Sequence, residues 1–312
     1  MVDVRPTPRP RRKSDDGALE REAFRLLASV LWRGETASAT APELTPALWS
    51  LASRNDLEGE AAAAFDVLAP RRADVELQSA AFRHNLRDSA TRLRDADLHP
   101  LLVKADPDSA YVYSNFDIVV DRRHWGQALA ALGPWVATTR QDRLERQKLF
   151  VVPHEGPALH LHAAICWYDI PSISTHRALE RARGEDGVPW LMPAPVDDFK
   201  ILVAHIGFQT IAPTLSDLLL YRRAGTEVIE AAAAEARAEG WEPVFSLVVD
   251  RLDRLARVLD AGGSPALPAP LPPGRAIAVG LQHAVTLIRR GRWHAAAREL
   301  ALRIPLVVAK QR

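Results

Sequence analysis

The chain has 312 residues, of which 47% are hydrophobic and 25% charged, the profile of a folded globular protein with room for one large domain or two modest ones. A net charge of +1 supplies no global field for nucleic acid or for a basic partner. The single cysteine, Cys166, excludes a disulfide framework within the chain and the paired cysteines of structural zinc sites, and fits a reducing cytoplasm.

Residues 1–17 are basic and rich in proline, with no apolar period, and read as a disordered tail. They lack the apolar stretch that a signal peptide needs after its charges. No run of about 18 apolar residues suggests a membrane span. The expected location is cytoplasmic, with no membrane partner and no clear nucleic-acid partner.

Residues 18–97 carry helical spacing. "LEREAFRLLASVLW" places Leu19, Phe24, Leu27, Val30 and Leu31 near one face. "APELTPALWSLASRND" opens with Pro42, and "EGEAAAAFDVLAP" is expected to stop at Pro70. The long stretch after it places Leu77, Ala81, Leu86 and Leu93 on an apolar stripe.

The pattern changes near residue 98. "PLLVKA" and "FDIVVD" are short apolar runs that read as buried strands, and "RHWGQALAALGPW" returns to helix. "KLFVVP", a turn at "HEGP", and "ALHLHAAICW" read as a β-hairpin. Residues 98–192 therefore form a compact core with a mixed sheet. "STHRALERARGEDG" reads as a mobile loop at the mouth of a cleft. Residues 193–312 return to helices, beginning at "PVDDFKILVAHIGF" and interrupted by the Pro/Gly-rich "AGGSPALPAPLPPG".

Three pieces of the core carry side chains suited to chemistry. Lys104 ends the first strand. In "SNFDIVVD", Asn115 and Asp117 lie two apart and leave one face of the strand. In "LHLHAAI", His160 and His162 do the same. If the hairpin lies beside "FDIVVD", these four converge. Carboxylate, amide oxygen and imidazole all bind divalent cations, and imidazole moves the preference from magnesium toward manganese, zinc or iron(II). The competing reading is a solvated polar strand face. The apolar flanks of Cys166 make it a buried core thiol rather than a nucleophile.

The series "LLVKA", "SNFDIVVD", "LHLHAAI", "PVDDFKILVAHIGF" and "TLSDLLLY" resembles the uncharacterised nucleotidyltransferase family of the polymerase-β-like nucleotidyltransferase superfamily, over roughly Leu101 to Arg223. The resemblance implies an α+β fold: a small mixed-sheet nucleotidyltransferase-like core flanked by N- and C-terminal helical bundles. Lys104 falls on the family's strand-end lysine, and Ala105 replaces its glycine. Asn115 and Asp117 fall on the paired aspartates, His160 on the third acid and His162 on the histidine after it. His205 and Asp217 fall on the helix histidine and a later aspartate. "YVYS" stands where the family has an arginine.

What the resemblance implies follows from that match. Asp117, His160 and His162 are the expected catalytic group. Lys104, Ser114 and His205 are expected at the substrate, and Asn115, Asp117 and His160 at a divalent metal, magnesium or manganese or a softer ion. ATP or another nucleoside triphosphate would be the donor, with a small molecule or peptide as acceptor. Three carboxylates would hold two magnesium ions in the superfamily; here an amide and an imidazole replace two of them, removing about two negative charges. The alternatives are an inactive member acting as a binding module, or a His/Asp metal site turned to another biosynthetic reaction.

Overall fold

The computed structural model describes residues 13–37, 40–105 and 115–309. Four helices come first: α1 (Lys13–Leu31), α2 (Thr45–Arg54), α3 (Glu58–Ala64) and α4 (Ala69–Asp95). The helix α1 reaches back into the stretch expected to be a tail. No proline lies within Lys13–Leu31, so nothing stops the helix from beginning at Lys13. The residues before Lys13 lie outside the described ones. Pro70 does not end a helix; it stands in the first turn of α4, where its missing N–H has no intrahelical partner to lose. Leu77 is 72% exposed, so it leaves the expected stripe. Val75, Phe82, Leu86 and Leu93 are the apolar side chains that α4 buries.

The core follows as β1 (Leu101–Val103), β2 (Asn115–Val119), α5 (Trp125–Leu132), β3 (Val136–Gln141), β4 (Lys148–Pro153) and β5 (Ala158–His162). The short pair β6 (Cys166–Trp167) and β7 (Ile170–Pro171) precedes α6 (Thr175–Arg181), β8 (Arg183–Gly184) and β9 (Leu191–Met192). The C-terminal helices are α7 (Pro195–His205), α8 (Leu215–Glu239), α9 (Glu242–Asp260), α10 (Pro273–Arg289) and α11 (Trp293–Ala309). None of the helices is long and apolar enough to cross a membrane, among the described residues.

The protein is mixed α/β, with one seven-stranded mixed sheet in the order β3-β4-β5-β2-β1-β9-β8 and helices on both faces. β2 pairs antiparallel with β1 and parallel with β5, while β4 and β5 form the expected hairpin. The edge strand β3 carries no apolar alternation and is almost wholly exposed, which hid it from pattern reading. The "AICW" end of the hairpin leaves β5 and pairs instead with β7. The expected mobile loop contains α6, capped by Ser174, and Arg181 at its end is held by Asp197 and Glu235.

Strand alternation divides the sheet cleanly. Leu102, Phe116, Ile118, Leu159 and Leu161 point to α4 and α5, with Phe82 edge-on to Phe116 at 5.9 Å. Leu101, Val103 and Val119 point the other way, into a core shared by α1–α3 and α7–α11. The first three helices thus join the C-terminal ones, while α4 crosses to the opposite face. Asn85 of α4 donates to the carbonyls of Glu155 (2.8 Å) and Pro157 (3.2 Å), fastening the β4–β5 turn. Gly156 makes that turn at φ 80°, and a Cβ there would lie 2.5 Å from the Asn85 amide. This clamp ties the turn that leads into β5 to α4.

Candidate metal centre

The parallel pairing of β2 with β5 sets Asp117 opposite His160 and Val119 opposite His162. Asp117, His160 and His162 lie on the face turned toward the helical core. His162 Nε2 is 2.6 Å from Asp117 Oδ1, and His160 Nδ1 is 3.4 Å from the same oxygen. Lys104 Nζ approaches the other oxygen, Oδ2, at 3.1 Å. Lys104 leaves β1 in the left-handed region at φ 57°, a conformation that costs a non-glycine residue about 1 kcal/mol. It is placed directly after Val103, the registered partner of Asp117.

Burial works to raise the Asp117 carboxyl. The Lys104 ammonium and hydrogen bonds from His160 and His162 outweigh it and hold the group well below the usual carboxylate range. An ionised carboxylate only accepts, so His162 donates from Nε2. Burial pushes the His162 imidazole down to about 4, against the pull of Asp117. It is therefore neutral at physiological pH, the state in which imidazole ligates metals.

One donor atom from each of Asp117, His160 and His162 lies within 4.8 Å of the others, so these three could hold a metal ion. Two imidazoles and one carboxylate suit a borderline ion such as zinc, manganese or iron(II). They do not suit a pair of magnesium ions, which need a richer set of oxygen ligands.

The remaining expected residues fall in different places. Asn115 opens β2 on the Asp117 face and is half-buried. Ser114 lies outside the described residues. His205 ends α7, its ring 6.3 Å from that of Trp167. Burial, then the charge of Lys104, push it down to about 3, with Asp117 opposing, so it belongs to the same electrostatic neighbourhood. Asp217 instead caps α8. Its Oδ2 accepts from Thr214 N–H at 2.8 Å and Thr214 Oγ1 at 3.0 Å, and Thr214 Oγ1 accepts from the Asp217 N–H. Cys166 is buried, and burial with Glu145 and Asp169 pushes its thiol up to about 12, which removes it as a nucleophile.

Two charged residues near this site were not singled out from sequence. Lys148 is buried on β4, paired in register with His162, and its Nζ lies 3.9 Å from Glu145 Oε2. Glu145 is buried and accepts the Tyr168 N–H at 2.9 Å. Burial raises its carboxyl, while Lys148 and Lys104 draw it back. The alternation of "KLF" would have shown Lys148 on the site face once the hairpin register was known. Beside His162, a small crevice opens between Val103, Lys104, Trp167 and Ile201.

Comparison with protein-family models, with curated proteins and with solved structures finds no match to this chain.

Proposed function

We propose that this protein is a metal-dependent transferase on a nucleotidyltransferase-like core, moving a nucleotidyl or related group to a small molecule or peptide. Its centre is one divalent ion of borderline type on Asp117, His160 and His162. The convergence of these three side chains across the parallel β2–β5 pair carries the reading. The resemblance of "SNFDIVVD" and "LHLHAAI" to the acid-bearing strands of the nucleotidyltransferases supplies the reaction class.

Such an ion, when bound, supplies Lewis acidity to a phosphoryl or carbonyl oxygen. The chain's own groups do the rest. Asp117 is kept ionised by Lys104 and presents an anionic ligand at neutral pH. His162 is kept neutral, and so is His205, so neither imidazole adds a positive charge beside the ion. Lys104 brings a cation within reach of an anionic substrate group.

A second reading rests on Lys104 itself. Its ammonium, 3.1 Å from Asp117, already supplies a positive charge to the carboxylate that would anchor the metal. On this reading the core is a catalytically inactive binding module.

Metal analysis of the purified chain decides between them. The transferase reading expects stoichiometric zinc, manganese, cobalt or iron, lost in Asp117→Ala, together with metal-dependent turnover of a nucleoside triphosphate. A wild-type chain that takes up none of these ions overturns it.

A further inference from the structure

One cross-strand row runs from the exposed edge of the sheet to the candidate metal ligands. Arg140 on β3 stands opposite Phe150 on β4, Phe150 opposite His160 on β5, and His160 opposite Asp117 on β2. Directly opposed residues share a face, so these four form a continuous strip. Exposure falls along it: Arg140 is exposed, Phe150 and His160 are half-buried, and Asp117 is buried. The strip is therefore a ramp from solvent into the site.

Its chemistry is directional. The Arg140 guanidinium lies over the Phe150 ring, 4.8 Å from its centroid. The His160 ring meets the same phenyl edge-on at 4.7 Å. The Arg140 charge thus stands within about 10 Å of the His160 imidazole, as near neighbours across two strand spacings. Lys148 places a second ammonium 5.2 Å from the Phe150 centroid. Lys148 has Glu145 beside it, whereas Arg140 makes no ion pair among the described residues. A guanidinium set over an aromatic ring still has N–H groups to offer an oxyanion.

We infer that Arg140, set over the Phe150 ring, is a specificity residue that holds an anionic group of the substrate while the substrate's reacting end lies at Asp117, His160 and His162. The placement of the reacting end rests on the metal-centre reading above; the anion subsite itself stands on the Arg140–Phe150 pair. The ligand chemistry is a pair of anionic oxygens, from a phosphate or from a carboxylate. The half-buried Phe150 favours a substrate with a flat or apolar stem between its two ends.

Titration calorimetry of the full chain with two probes, tripolyphosphate and suberate, tests the inference. Both span several atoms between charges, and the tighter of the two names phosphate or carboxylate as the anion. Arg140→Ala is expected to weaken the tighter probe about tenfold, the worth of one charge-assisted contact. Arg140→Lys keeps the charge without the planar fork and is expected to fall between the two. Arg143→Ala removes another exposed charge from the neighbouring loop and is expected to bind as wild type. Equal weakening in Arg140→Ala and Arg143→Ala, or none in Arg140→Ala, overturns the subsite. Cobalt(II) uptake followed by its visible spectrum separates this from the metal reading. Arg140→Ala is expected to take up cobalt as wild type does. A wild type without cobalt uptake would sink the metal centre and leave the anion result standing.

Discussion

Asp117 and His162 make a 2.6 Å contact although they are not opposed across the β2–β5 pair, where Asp117 stands opposite His160 and His162 opposite Val119. The diagonal neighbour approaches more closely than the direct one, whose nearest nitrogen is 3.4 Å away. His162 is also the more enclosed of the two histidines. Its Nε2–H therefore satisfies a buried carboxylate that would otherwise lose a donor.

The two histidines should differ in stability cost. His162→Ala removes a short hydrogen bond to a buried charge and is expected to lower unfolding free energy by about 2 kcal/mol. His160→Ala loses a longer contact at a half-buried position and is expected to cost about 1 kcal/mol or less. Urea unfolding of both variants, without added metal, compares them. Equal losses would show that the diagonal contact has no special worth.

Lys104 and a divalent cation draw on the same carboxylate. Lys104→Met removes the ammonium and leaves Asp117 buried with only its two histidines, so the metal-free variant is expected to be less stable by about 2 kcal/mol. It is also expected to bind zinc or cobalt about tenfold more tightly, as the competing charge is gone. Thermal unfolding with and without zinc reads both effects: a lower Tm without metal and a larger rise on adding it. If zinc raises the Tm of wild type and variant equally, Lys104 does not compete for the site.

The donor set predicts which ion is chosen. In Asn115→Asp combined with His160→Asp, the ligands become three carboxylates with His162 beside them. The preference should move from zinc or cobalt toward magnesium and manganese by about tenfold or more in relative affinity. Competition between cobalt and magnesium, followed by the cobalt spectrum, measures the change. An unaltered preference would separate these two positions from the metal.

The candidate site could be traced from local spacing because strand alternation is strict. Two residues two apart in a strand share a face, and both Asn115/Asp117 and His160/His162 obey it. What spacing does not carry is register. It could not say that Lys148 pairs with His162, or that Arg140 stands two strands from His160. The turn between β4 and β5 is held from outside the sheet by Asn85, which donates to Glu155 at a separation of 70 residues in the chain. The edge strand β3 escaped for another reason: "VATTRQ" is solvated on both faces, so no apolar period marks it. Pro70 looks like a stop because proline breaks helices from inside, yet the same chemistry favours it at a helix start. The resemblance assigns Asp217 a place by order along the chain alone, whereas its hydrogen bonds serve the first turn of α8.

That capping role gives a pH dependence with a definite sign. Burial raises the Asp217 carboxyl to about 6, against the hydrogen bonds it accepts from Thr214. An acid whose folded pKa exceeds its unfolded value holds its proton more tightly when folded. Its contribution is fully present below about 4, declines as pH rises through about 6, and is flat above. The shift corresponds to about 1–2 kcal/mol after allowing for solvent screening at a half-buried position. Asp217→Asn keeps an oxygen to accept from Thr214 but has no proton to lose. The stability of the variant relative to wild type should therefore rise by about 1–2 kcal/mol between pH 4 and pH 7.5. Urea unfolding of both proteins at the two pH values gives this double difference, in which every other titrating group cancels. A difference that is zero, or that falls with pH, would show that Asp217 is ionised in the cap at the same pH as in the unfolded chain, or more readily.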